Sequence, residues 1–362
     1  MKMKASVKYV IRAAVAALGV FLFYLSALAY GKLVSVTDGI LFYLEEPLGI
    51  REAMAVKQDI EEKGKEMPTF CIWGQIGQQT LTNKYLKRSI QADVILLCGN
   101  AELLFEDCRV PAKKDSQGCV IDEATAWELF GSTNVEGKEI SFQEKSYTIR
   151  KVIPEQGKIF ALQICSLEHK KAGQGIPSES GMPVDGRPQQ EKDDVVLNRI
   201  TMQKTEEKSL RDLEVMWNGQ SGLSVTNLDV QLLRGVSGAC ILLVPATSCI
   251  YFLGYLLCQY RQQKQTMWKA AVVVFGFIAA VSFFLLLKSH INIPDDYIPT
   301  RWSDFSFWSE LWDRKQDTVG LLLKMPKTDL DTVWIESFGK AFECGLLAEA
   351  LTAGFLMMTR RK

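Results

Sequence analysis

Residues 236–258 read VSGACILLVPATSCIYFLGYLLC and residues 270–287 read AAVVVFGFIAAVSFFLLL, separated by the polar loop 259–269, QYRQQKQTMWK. Neither run holds a charged residue. Each is long enough to cross the hydrocarbon, which takes roughly 17–25 residues of helix. Outward from this pair, residues 10–30 (VIRAAVAALGVFLFYLSALAY) and 341–358 (AFECGLLAEALTAGFLMM) are also predominantly apolar, interrupted by Arg12 in the first and by Glu343 and Glu349 in the second. Helices satisfy their backbone internally, as lipid demands, and soluble core helices of this length are seldom so uniformly apolar. The chain reads as an integral membrane protein with four transmembrane helices placed 1+3 around a polar domain, 32–235.

Charge sets the expected orientation. Lys2, Lys4, Lys8 and Arg12 precede or open the first span, Arg261, Lys264 and Lys269 lie in the 259–269 loop, and Arg360, Arg361 and Lys362 end the chain. No Asp or Glu occurs in those stretches, and four crossings put them on one side. The positive-inside rule makes that side cytoplasmic. The expected layout is a cytoplasmic stub and first helix over 1–31, an extracytoplasmic domain over 32–235, and spans at 236–258, 270–287 and 341–358. The 259–269 loop and the tail 359–362 are cytoplasmic, and 288–340 is an extracellular loop. The 42 basic and 42 acidic residues balance only as an average over unlike compartments, so no nucleic-acid partner is implied. Basic residues, an apolar run and Ala27-Leu28-Ala29 also describe a cleavable signal peptide. The length of the run favours a retained anchor.

Within 32–235, residues 51–65 read as a helix, 68–74 (PTFCIWG) and 92–98 (ADVILLC) as strands. The most informative polar stretch is 119–153, CVIDEATAWELFGSTNVEGKEISFQEKSYTIRKVI. Residues 119–121 form a strand, Asp122 caps a helix with Glu123 in its first turn, and Gly131 ends it. Residues 138–142 and 146–153 then alternate as a hairpin around Gln143-Glu144-Lys145. Residues 158–165 and 195–202 add strands, with a helix near 205–215. The segment 170–194 is rich in Gly, Pro and charge and reads as a mobile excursion. Helices and short strands interleave, so the domain is α+β.

The 119–153 stretch resembles the extracytoplasmic core domain of the MacB/FtsX-like ABC transporter permeases. The matching residues are Val120-Ile121, Ala124, Leu129-Phe130-Gly131, Val135, Gly137-Lys138, Ile140 and Tyr147-Thr148-Ile149 through Val152-Ile153. The 1+3 topology is also similar to that family's. The resemblance implies a permease-like subunit, a separate ABC ATPase subunit as partner, and assembly as a homodimer or a heterodimer with a related permease. It also implies motion transmitted to the outer domain rather than a channel for substrate. The family's cytoplasmic coupling helix carries Glu-Ile-Gly, which the eleven-residue 259–269 loop lacks. That departure keeps open a second reading, a membrane-anchored binding or sensing module.

Nothing in the sequence points to an enzyme. Gly-x-x-x-x-Gly-Lys-Ser/Thr does not occur, and Gly74-Gln75-Ile76-Gly77 reads as a turn. His169 and His290 are the only histidines, cysteine spacing fits no metal knuckle, and no cofactor is expected. Two features do stand out. Glu349 lies near the middle of the last span, where a lone charge costs about 2.5–3.5 kcal/mol to insert. Its small neighbours Ala348, Ala350, Ala353 and Gly354 suit close helix packing or assembly, and a transport or proton role is the alternative. Residues 302–312 (WSDFSFWSELW) place Trp302, Phe305, Trp308 and Trp312 at helical spacing. Such a helix could lie at the lipid headgroups, cover the base of the outer domain, or bind a partner.

Overall fold

A computed structural model describes residues 2–35, 39–63, 67–105, 108, 115–154, 157–164, 196–205, 208–262, 265–290, 297 and 306–360. The excursion 170–194 and the site residues Trp302 and Phe305 lie outside the described residues. The chain divides into two compact units. One is Val36–Asp229 with Arg301–Leu330, and the other is Met1–Ser35, Val230–Thr300 and Asp331–Lys362.

The first unit is an α+β domain whose described strands form one nine-stranded mixed sheet. Its axis is a long hairpin of β2 (Phe70–Asn83) and β3 (Arg88–Gly99). At about 3.3 Å per residue, such strands are long enough to serve different neighbours at their two ends. The first half of β2 pairs with β8 (Leu197–Met202), from Phe70↔Met202 to Trp73↔Arg199, and its last residues pair with β5 (Glu139–Phe142). On the other side, β3 pairs in parallel with β7 (Ile159–Gln163), then β7 with β4 (Gly118–Asp122), β4 with β6 (Lys145–Ile153), and β6 with β5. Because β5 returns to β2, six strands close into a ring. The three remaining strands form an antiparallel wing on β2, in the order β8, β1 (Ile40–Leu48) and β9 (Val225–Asn227).

The strand–helix–hairpin unit is present over 118–153. Helix α3 (Glu123–Phe130) follows β4, with Gly131 at φ 72° accepting the left-handed conformation that ends it. The hairpin turn Gln143-Glu144 has φ 48° and 65°, the signs of a type I′ turn, achieved here without glycine. The ring interior packs Phe142, Tyr147 and Phe160 with centroids 5.4–6.4 Å apart. Burial pushes the Tyr147 hydroxyl up to about 12. Helix α2 (Ile50–Lys63) buries Ala53 and Ile60, and α4 (Leu210–Ser221) buries Leu213 and Trp217, the latter edge-on to Phe70 at 5.3 Å. Helix α4 begins later than the 205–215 reading because Ser209 and Asp212 form a capping box.

Two expectations need correction. Gly74–Gly77 is not a turn but lies inside β2, next to a bulge between Ile76 and Gln79. The strands read at 68–74 and 92–98 are the buried halves of much longer ones. β1 had no counterpart in the sequence reading, since Glu45, Glu46 and Pro47 break its apolar run. The pairing with β8 is irregular between Tyr43 and Leu48, which is where a strand tolerates proline.

The second unit holds the membrane-length helices α1 (Lys2–Ser35), α5 (Val230–Gln262), α6 (Thr266–His290) and most of α8 (Asp329–Arg360). All four are long and apolar enough to cross a bilayer, and the chain is a multi-pass membrane protein. Ser26 donates to the Ala341 carbonyl at 2.7 Å, and Arg12 to the Met358 carbonyl at 2.6 Å, tying α1 to α8 along its length. A Cβ on Gly345 would lie 3.2 Å from Ser26 Oγ and 3.5 Å from Cys240 Cβ, so α1, α5 and α8 meet at small residues. Helix α6 packs against α5, and none of its apolar window is buried.

Candidate functional site

In the α+β domain the residues with most to explain surround Arg199. This arginine is fully buried at the centre of β8, paired with Tyr43 of β1 on one side and Trp73 of β2 on the other. Its guanidinium stacks on the Tyr43 ring at 4.7 Å and donates to the Pro326 carbonyl at 2.9 Å. Met325 Sδ sits 3.6 Å from the same nitrogen. A buried cation is tolerated when a ring face and hydrogen-bond acceptors replace its water. Nearby, the backbone N–H of Asp329 donates to Gln75 Oε1 at 2.8 Å. Together these contacts fasten the segment 325–329 to β2 and β8.

Helix α7 (Ser306–Lys324) is fastened to the same domain. Leu311 is buried, and Lys315 forms an ion pair with buried Asp229. Asp229 closes the turn after β9, where Asn227 accepts its N–H at 3.0 Å. Burial pushes the Glu214 carboxyl of α4 above the ordinary glutamate range. Arg314 and Arg211 oppose the shift, Glu45 adds to it, and Lys315 opposes it.

Chain connectivity gives this cluster its importance. β1 follows α1, β9 precedes α5, and 325–329 opens α8. β1 and β9 pair directly, through Phe42↔Asn227 to Leu44↔Val225. The α+β domain is therefore joined along the chain to three of the four membrane-length helices, through β1, β9 and the segment 325–329, and Arg199, Gln75 and Lys315 hold 325–329 and α7 to that domain.

Of the aromatic helix read at 302–312, residues 306–312 lie in α7, which runs twelve residues beyond Trp312, to Lys324. Trp308 and Trp312 are 53% and 72% exposed, and with Val319 and Leu323 they form an apolar stripe on the helix surface. Phe307 meets Trp308 edge-on at 5.3 Å.

Glu349 sits half-buried in α8, where its carboxylate accepts from the Thr247 hydroxyl of α5 at 3.1 Å. The same hydroxyl lies 3.1 Å from the Val244 carbonyl, next to the helix-interior Pro245. Glu349→Gln keeps an acceptor for Thr247 and is expected to melt with the wild type. Glu349→Leu should lose about 1 kcal/mol, the scale of interhelical hydrogen bonds in membranes. Glu349→Lys should lose more, because an ammonium is added where the carboxylate accepted. Thermal stability of the full chain in detergent, read by loss of monodisperse protein, checks the order Gln, Leu, Lys.

Arg199, Gln75 and Lys315 escaped the sequence reading. Arg199 was the only one with a signal, a charged residue inside an apolar strand, VVLNRITM. Among the described residues, no group of three or more His, Cys, Asp or Glu converges as a metal site would require.

No protein-family model matches the chain, and no curated protein matches it. The solved structures that are weakly similar include two extracytoplasmic domains. The periplasmic region of MacB from Actinobacillus actinomycetemcomitans is 13% identical, with a TM-score of 0.35 over 53% of this chain and 89% of that one. The extracellular domain of the noncanonic ABC-type transporter YknZ from Gram-positive bacteria is 13% identical, with a TM-score of 0.33 over 52% of this chain and 100% of that one.

Proposed function

We propose that this protein is a permease-like membrane subunit of an ABC-type export or mechanotransmission system, in which a separate ATPase subunit drives movement of the α+β domain. The observation that carries the proposal is the chain connectivity: α1 leads into β1, β9 leads into α5, and the segment 325–329, held to β2 and β8, leads into α8. On this reading movement of α1 or α5 reaches the paired strands β1 and β9, and movement of α8 reaches β8 and β2 through 325–329. On this reading the termini and the 259–269 loop are cytoplasmic and the sheet domain is extracytoplasmic. The permeases pair as a homodimer or heterodimer, with Ala13, Ala16 and Ala17 of α1 allowing close approach. The stripe Trp308, Trp312, Val319 and Leu323 rests at the lipid headgroups.

A second reading, a non-transporting binding or sensing module, draws on the α5–α6 connection. α5 runs to Gln262 and α6 starts at Thr266, so three residues separate them and none is left for a distinct coupling helix. Purification of the full chain from its native membranes in mild detergent separates the two readings. The first expects an ATPase to co-purify, and expects its nucleotide hydrolysis to change severalfold in Arg199→Met. That variant keeps the volume of the side chain and removes the fork that holds Pro326. Intact, folded protein recovered without any ATPase moves the assignment to the second reading.

A further inference from the structure

We propose that the α5–α6 hairpin holds an anionic glycerophospholipid of the surrounding membrane, with one acyl chain in an apolar groove and the phosphate against Lys269 and Arg261. The groove, about 320 Å³, is walled by Leu253, Leu256 and Leu257 of α5 and by Val272, Val273 and Gly276 of α6. Gly276 supplies its floor: a Cβ there would come within 3.7 Å of Leu256 Cδ1 and 3.8 Å of Leu253 Cδ2.

Tyr260 joins groove to charge. Its ring lines the end of the cavity and lies beneath the Lys269 ammonium, 5.4 Å from the centroid. Arg261 follows it and is exposed. No Asp or Glu occurs between Asp229 and Asp295, so neither helix of the hairpin offers these cations a carboxylate. Two cations at the polar end of an apolar groove complement a lipid phosphate, the arrangement by which basic pockets between membrane helices select anionic headgroups.

Length argues for a lipid over a partner helix. From Leu253 to Tyr260 the groove follows α5 for about 10 Å at 1.5 Å per residue. That is within one leaflet of a hydrocarbon core of about 30 Å. A partner helix crossing the whole core would run about three times the length of this groove. An acyl chain ends where its headgroup begins, at the level of those cations.

The test uses the full-length protein in nanodiscs containing a phosphatidylglycerol or a phosphatidylcholine that carries the same photoactivatable acyl chain. Peptide mass spectrometry maps the adducts. The expected result is labelling within 253–276 at least fivefold stronger for phosphatidylglycerol, with the preference abolished in the double variant Arg261→Gln, Lys269→Gln. Gly276→Phe, which fills the groove, should lower labelling by both lipids there. The charge variant changes only exposed or half-exposed side chains, so a fold defect does not confound it. Equal labelling by the two lipids in the wild type, or a preference that survives the double variant, overturns the proposal. Labelling of other segments with none in 253–276 overturns it as well.

Discussion

Asp122→Ala is expected to destabilise the α+β domain by about 3–5 kcal/mol, lowering its melting temperature by roughly 10 °C. Asp122 is fully buried, and its carboxylate accepts three backbone N–H groups. They belong to Thr125 at 3.0 Å, Lys158 at 2.9 Å and Ile159 at 3.2 Å. The first caps α3, and the other two hold the start of β7 beside the end of β4. Losing a cap costs about 1 kcal/mol, and each buried donor left without an acceptor adds about 1–3 kcal/mol. Asp122→Asn keeps one oxygen for Thr125 and Ile159 but turns a donor toward Lys158, so its cost should fall between the two. Near-UV circular dichroism of the full chain in detergent reads both variants. Asp122→Ala melting within a degree of the wild type would show that the triple contact stabilises nothing.

That cap was legible in advance, because it is local. A strand, an aspartate, a short apolar-faced helix and a glycine stand in sequence order, and the structure uses each where the pattern puts it. The membrane helices were legible for the same reason: a span is recognised by composition over one continuous window. Their ends were not. Helix α8 begins at Asp329, twelve residues before the apolar window at 341, since a helix continues through polar residues wherever its backbone can still pair.

The sheet was less legible because its pairings are long-range. The closed ring depends on β5 returning to β2 through only Leu81↔Phe142 and Thr82↔Ser141, a register that no local pattern encodes. The Arg199 cluster is harder still. Arg199 and Pro326 are 127 positions apart, and the acceptor is a backbone carbonyl that any residue carries. Glu349 could be singled out from one window because charge in lipid is costly. Its partner, Thr247, is an ordinary threonine of a different span, 102 positions away.

The two glycines of Gly74-Gln75-Ile76-Gly77 show how position in the sheet separates residues that the sequence makes look alike, and their alanine variants should differ sharply. A Cβ on Gly74 would lie 2.3 Å from the Val196 carbonyl oxygen, 2.9 Å from Leu197 Cα and 3.1 Å from the Val196 carbonyl carbon. All three are backbone atoms at the start of β8, so no side chain can swing aside, and β2 and β8 must move apart. Overpacking by one methyl typically costs about 1–3 kcal/mol, and a rigid backbone neighbour puts Gly74→Ala at or above the top of that range. The strain also falls close to the Arg199 cluster, since Leu197 lies two positions before Arg199 in β8 and both pair with β1. A Cβ on Gly77 would meet only Asp93 Oδ1, at 4.0 Å. Gly77→Ala should therefore be neutral or gain up to about 1 kcal/mol, by restricting the unfolded chain. Melting of the two variants side by side decides the matter. Equal loss in both would mean that the glycines serve a loop, and that β8 does not cross β2 where Gly74 stands.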